Sequence, residues 1–444
     1  MTLDCLDIPM VLPHPSAPVT QEETGLSLDL LLQLTLKHMH FAGELTGSDL
    51  ARRLGLRFTA IEPAVYALKA QHQIEIIGGT MLGPASYRYR ITDAGRTRVA
   101  IFLEHNQYVG VAPVPLERYA TYLRTWQQAA PRTATRGRMH EAFRHLVLSQ
   151  HVLDQLGPAI NAGHSLFVYG PPGNGKSVIA QAIRNLLDGD IAIPHALEVE
   201  GQIVRLFNPV THEVAPLSEG EGLSDELGAD HRWVRCRRPL VTVGGELTLE
   251  ALDLSYNPVA GFYQAPVQAA ANGGVLVIDD FGRQAMEPRQ FLNRWIVPLE
   301  SRVDFLTLQT GQKFELPFAT LLVFATNLRP STLVDEAFLR RIRYKVFAES
   351  PRIEEFARIF ENCCNERLLD YDRGIVEHLM RDWYGRRQIP LRGCHPRDLI
   401  EQALSMADYR GDPRTLTPEL IDAACASYFV ADEEPMLAGP LETA

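Results

Sequence analysis

The residues with the clearest capacity for chemistry are Gly170-Pro171-Pro172-Gly173-Asn174-Gly175-Lys176-Ser177. Their spacing satisfies G-x-x-x-x-G-K-[ST], a loop whose backbone N–H groups turn inward around phosphate oxygens. On this reading Gly170 to Val178 form the cradle, Lys176 reaches the β- and γ-phosphates, and the Ser177 hydroxyl holds Mg²⁺. Two carboxylates close a later apolar run, Gly274-Val275-Leu276-Val277-Ile278-Asp279-Asp280. Asp279 suits Mg²⁺ held through its water shell, and Asp280 suits orienting or polarising an attacking water. Many buried strands end in Asp, so this run gains its meaning from the phosphate loop. A second run, Thr320 to Thr326, ends on Asn327. Its amide can bond a water or a phosphate oxygen, or simply cap a turn.

These groups need rigid elements behind them. Ser165 to Tyr169 reads as a short buried strand, and Val178, Ile179, Ala182, Ile183, Leu186 and Leu187 recur at helical spacing after the loop. Strand, glycine-rich turn and helix form the context the motif requires. The chain has 444 residues, enough for two or three domains with their own cores. A net charge of −11 argues against a chain coated with nucleic acid, without excluding one basic face. Six scattered cysteines with no C-x-x-C pair point to reduced thiols in a cytoplasmic protein. The first basic side chain is Lys37, which gives the start no charged region of the signal-peptide kind. No apolar run approaches the ~20 residues of a membrane span.

Composition divides the chain further. Residues 1–25, rich in Pro and Thr, read as loose, and 431–444 read as a loose tail. Residues 26–107 carry three helical patterns, two alternating strands around Gly78-Gly79 and a fourth helix. This unit resembles a winged helix-turn-helix domain, which implies DNA binding or protein docking. The presumed recognition helix, Thr59 to Gln73, holds only Lys69 and His72 as cations, and the wing adds Arg88 and Arg90. That is thin for phosphate neutralisation. Residues 108–137, with Pro113, Pro115 and Pro131, read as a linker. Between the phosphate loop and Asp279 we expect a hairpin (Gln202–Leu206 with Glu213–Leu217) and an acidic loop, Ser218–Asp230. Arg235, Arg237 and Arg238 read there as a solvated face.

Phosphate loop, Asp-ending strand, Asn-ending strand and the run Ala337-Phe338-Leu339-Arg340-Arg341-Ile342-Arg343 occur in one order. In this the chain resembles AAA+ ATPases over residues 138–430. The resemblance implies an α/β fold: a P-loop NTPase αβα core with a parallel sheet at 138–348 and a helical lid at 349–430. It implies that Asn327 is sensor 1 and that Arg340 or Arg341 reaches a neighbouring subunit's ATP. There a fixed cation would stabilise transition-state charge; the alternative for one of the two is a structural salt bridge. His395-Pro396-Arg397-Asp398-Leu399 is similar to the sensor 2 motif. An arginine in a first helical turn opposes the helix dipole and calls for an anion, supplied by ATP or by Asp398 or Glu401.

The long segment before Asp279 resembles the helix 2 insert of the magnesium-chelatase and MoxR branches, and Val303–Phe318 resembles the hairpin before sensor 1. Phe262 and Tyr263 are then candidate pore contacts, unless they are core. Asp280 stands where the family usually has Glu, one methylene longer. The implied function is hydrolysis of ATP with Mg²⁺ by a homo-oligomer, hexameric by expectation, that remodels a protein client away from any membrane. The alternatives are a DNA-binding regulator or loader acting through residues 26–107, and a slow-hydrolysing switch or scaffold.

Overall fold

The structure, a computed structural model, describes residues 14–79, 83–129, 134–216, 228–284, 286–333 and 336–429. The first residues of the loose N-terminal segment, the tail 431–444 and most of the acidic loop Ser218–Asp230 lie outside these ranges.

The three inner strands of the central sheet are runs that are apolar on both faces, as a parallel sheet covered on each side demands. Its strands, in spatial order, are Leu240–Val243, Val275–Ile278, Leu321–Thr326, Ser165–Tyr169 and Tyr344–Phe347, and every neighbouring pair is parallel. Leu166, Val168, Val275, Val277 and Val323 face a core shared with the helices Gln150–Ala162 and Lys176–Ala182. Phe167, Leu276, Ile278, Leu322 and Phe324 face the opposite core, with Phe291, Leu292 and Trp295. The strand carrying the phosphate loop is interior, beside the edge strand Tyr344–Phe347, and the central Asn327 strand lies between it and the Asp279 strand. All three sites open at the carboxyl ends of parallel strands, where such sheets bind ligands.

Residues 26–107 form the helices Leu28–Ala42, Gly47–Leu54, Phe58–Ala70 and Asp93–His105 with a three-stranded antiparallel sheet. The segment before them is tied down from residue 14 on, contrary to its loose composition. Thr20 and Glu23 close a capping box on the helix Gln21–Thr24, and Ser16 bridges to Ala229.

Residues 108–137 are not a simple linker. They contribute the strand Val114–Pro115 and the helix Leu116–Ala129, whose Tyr119, Leu123 and Trp126 are buried. That strand edges a five-stranded sheet of Ser255–Asn257, Phe262–Gln264, Gln202–Arg205, Ala196–Val199 and Val114–Pro115. Side chains alternate across it. Ala196 and Ile203 join the N-terminal core, while Leu197, Val199, Val204 and Tyr263 pack beside Tyr119, Leu123 and Trp126.

The expected hairpin partner of Gln202–Arg205 is replaced by Ala196–Val199, and Val214 bridges Cys236 instead. Phe262 and Tyr263 are core rather than pore contacts: Phe262 packs edge-on to Tyr108, and the buried Tyr263 accepts a bond from Gln309 N. The arginine run is only partly a solvated face. Arg237 pairs with Glu213 at the surface, but Arg235 bonds Asp190. Arg238 donates to Gly273 O at 2.6 Å and covers the Trp126 ring. Burial lowers the Arg238 guanidinium to about 10.

The hairpin of Val303–Thr307 with Lys313–Pro317 turns through Gly311 at φ 85°. Residues 353–429 form a separate helical unit around Phe356, Phe360, Leu379, Ile400 and Ile421. Among the described residues no helix is long and apolar enough to cross a membrane.

Candidate nucleotide site

The phosphate loop leaves its strand through backbone angles that favour glycine. Gly170, Gly173 and Gly175 have φ of 150°, 80° and 70°. Two of them are also crowded. A Cβ on Gly170 would lie 2.5 Å from Ala348 O, and one on Gly173 would lie 2.5 Å from Cys394 Sγ. The loop thus touches the edge strand's exit on one side and the C-terminal helical unit on the other.

Lys176 opens the following helix and is buried, with Nζ donating to Pro171 O at 2.8 Å. Burial lowers its pKa, while Asp280 and then Asp279 pull it back up. The turn after Val275–Ile278 is tightly held. Asp279 N donates to Val243 O, and the Gln284 amide donates to Asp279 O at 3.1 Å. Asp280 adopts φ 47°, a left-handed conformation that side-chain-bearing residues seldom take outside special sites. Its N–H donates to Asp279 Oδ1 at 2.9 Å, and Asn327 Nδ2 donates to Asp280 Oδ1 at 3.2 Å. The sheet order makes this last bond feasible, because the Asn327 strand adjoins the Asp279 strand.

Pro172 to Val178, Asp279, Asp280, Asn327 and Arg397 line one cavity of about 550 Å³. Gly170 and Pro171 do not line it; they shape the loop from behind. Arg397 lines the cavity and donates through Nε and Nη2 to Asp398 Oδ1 at 2.9 and 2.8 Å. Arg340 and Arg341 lie outside the cavity, and Arg341 Nε donates to Glu300 Oε1 at 2.6 Å.

The sequence reading missed two walls. One is Leu146-Val147-Leu148, an apolar run just before the helix Gln150–Ala162; the other is Ile359, Asn362, Cys363 and Glu366 on the helix Ile353–Glu366. The first was readable as apolar residues with no helix of their own. The second was not, because nothing local marks which face of a lid helix meets the loop.

The donor set fits a hard cation bound with a nucleotide. Ser177 and Asp279 share the cavity and offer only oxygen, and no cluster of three or more His, Cys, Asp or Glu among the described residues could cage a metal alone. Mg²⁺ is held in this way, by one or two protein oxygens together with phosphates and waters.

Residues 144–207 match the family described as magnesium chelatase, subunit ChlI, and residues 352–427 match a domain of unknown function (DUF8689). No curated protein matches the chain. Among solved structures it is similar to a P216G mutant of Thermotoga maritima RuvB, at 13% identity over 68% of this chain and 75% of that one, with a TM-score of 0.39. It is also similar to NtrX from Brucella abortus, at 15% identity over 64% of this chain and 56% of that one, with a TM-score of 0.40. NtrX in complex with ADP is similar at 16% identity over 64% of this chain and 55% of that one, with a TM-score of 0.39.

Proposed function

We propose that this chain, built on the P-loop core of an AAA+ ATPase, hydrolyses ATP with Mg²⁺ as a ring of identical subunits and remodels a protein client. The observation that carries this reading is the Asn327–Asp280 hydrogen bond in the cavity that also contains Lys176 and Ser177. A phosphate loop alone binds; a carboxylate oriented by an amide beside it is equipped to direct water.

Phosphates would rest on the loop's backbone N–H groups, with Lys176 turning from Pro171 O to the phosphate oxygens. The apolar walls Leu146, Val147, Leu148 and Ile359 suit the planar base. Ser177 and Asp279 would hold Mg²⁺, which neutralises charge on the β- and γ-phosphates when bound. Asn327 occupies one oxygen of Asp280 and leaves the other to orient the attacking water. Arg340 and Arg341 lie outside their own subunit's cavity, as a cation serving the neighbour's nucleotide must. Arg340, the more exposed, is our choice for the finger.

A protein client is favoured over DNA by charge. Arg90 of the strand pair is committed to Glu75, through Nε and Nη2 at 2.9 and 2.6 Å. We assign the protein to the cytoplasm because its described cysteines are all free thiols.

Steady-state ATP turnover tests the reading. Wild type should hydrolyse ATP only with Mg²⁺, Lys176→Ala should abolish turnover, and Asp280→Asn should lower it by about 100-fold or more while still binding ATP. The Asp280→Asn protein, loaded with ATP, should then retain clients that Lys176→Ala does not. Wild type without turnover, or Asp280→Asn at the wild-type rate, would sink the proposed mechanism.

A further inference from the structure

We infer that Asn174 is a positioning residue that couples the phosphate loop to the C-terminal helical unit; the inference rests on the nucleotide reading of the site. Asn174 is only 8% exposed, and its amide has three partners in two segments outside the loop. Nδ2 donates to Ala348 O at 3.2 Å and to Ser350 Oγ at 3.4 Å, and Oδ1 accepts from Gly393 N at 3.3 Å. Ala348 directly follows the core's edge strand, Ser350 leads into the helix Ile353–Glu366, and Gly393 leads into the helix that carries Arg397.

The chemistry singles out an amide. Ala348 O can only accept and Gly393 N can only donate, so the bridging group must do both at two ends of one short side chain. The same partners fix which way the amide points. The contact is reinforced around Asn174. Cys394 N donates to Gly173 O at 2.8 Å, and Arg392 Nη1 donates to Ser350 Oγ at 2.7 Å. It is also close-packed: a Cβ on Gly173 would strike Cys394 Sγ at 2.5 Å, and one on Gly393 would lie 3.2 Å from Gly173 O. The loop that grips phosphate is therefore bonded directly to two segments that lead into helices of the C-terminal unit. Anything that stiffens or shifts the loop is felt at Gly393 and Cys394 without passing through Arg397.

Amide hydrogen exchange at Gly393 and Cys394 tests this, on the full chain with and without ADP. In wild type, ADP should slow exchange at both. In Asn174→Ala, ligand-free exchange there should rise about 10-fold, and ADP should no longer slow it although it still binds to the backbone cradle. Ser350→Ala, outside the cradle, should give a smaller rise of about threefold, and it carries the test if the alanine at 174 prevents folding. ADP affinity should change less than kcat in both variants. Wild-type exchange in the variants, or an undiminished ADP response, overturns the inference. The readout needs no turnover, so a wild type that binds ADP without hydrolysing ATP sinks the catalytic reading and leaves this test in force.

Discussion

At the scale of single residues, Asp280 and His395 show how environment sets what a group can do. Asp280 is a methylene shorter than a glutamate, and it sits at φ 47°. A strained backbone of this kind costs on the order of 1–3 kcal/mol and persists only where surroundings enforce it. Here they do, through Gln284 on two carbonyls and Asn327 on the carboxylate. The turn, rather than side-chain length, sets the reach. His395 starts the helix bearing Arg397 and is buried, its Nδ1 hydrogen-bonded to the Tyr384 hydroxyl at 2.9 Å. Burial lowers its pKa from 6.5 to about 4, with Arg392 adding to the effect and Asp398 opposing it. The folded ring stays neutral where the unfolded one takes a proton. Its contribution is therefore full above pH 6.5 and is lost as pH falls toward 4. Chemical denaturation of the full chain at pH 7 and pH 5 should show a loss on the order of 2 kcal/mol for the C-terminal helical transition. His395→Asn should flatten that dependence.

At the scale of elements, the phosphate-loop strand and the edge strand Tyr344–Phe347 are held so closely that one methyl group matters. Gly170→Ala places a Cβ 2.5 Å from Ala348 O at φ 150°. It should lower stability by about 2–3 kcal/mol in urea titration and weaken nucleotide binding as well. The three inner core strands were legible in the sequence because burial on both faces leaves continuous apolar runs; the outer strands Leu240–Val243 and Tyr344–Phe347, half-exposed and interrupted by Thr242 and Lys345, were not. The insertion was not legible. Its strands pair out of chain order, Val114–Pro115 with Ala196–Val199 and Phe262–Gln264 with Gln202–Arg205, so local turn signals pointed to the wrong partner. Three prolines drew attention to a linker, although Tyr119, Leu123 and Trp126 lay at helical spacing within it. At the site, the motif residues were readable one by one. What no motif announced was their assembly with Leu146–Leu148 and with the face of the helix Ile353–Glu366.

At the scale of the whole molecule, the N-terminal unit is fastened to the insertion rather than tethered. Arg232 and Asp230 are fully buried and paired, Nη2 to Oδ2 at 2.9 Å, and Arg232 Nη1 also donates to Thr24 O at 3.0 Å and Pro113 O at 3.3 Å. Gln107 N donates to Ala260 O at 2.7 Å, and Gly55 and Gly261 meet backbone where a Cβ would clash. Arg232→Ala leaves the buried Asp230 with only Arg118 Nη2, at 3.9 Å, as a cation and should cost about 3 kcal/mol. Urea unfolding followed by proteolysis should then show residues 14–107 released before the sheet core opens, whereas wild type should keep them together.

The strand Val114–Pro115 has a last consequence. The chain that precedes the phosphate-binding core supplies the outermost strand of a sheet inserted within that core, and both faces of the sheet are covered by the same preceding chain. Cutting the protein just before the helix Gln150–Ala162 would thus bare a ragged margin along Ala196–Val199 and strip two greasy surfaces at once. The severed piece would be sticky toward its own kind, and the half of this chain that holds the phosphate loop is not separable from the half that comes before it.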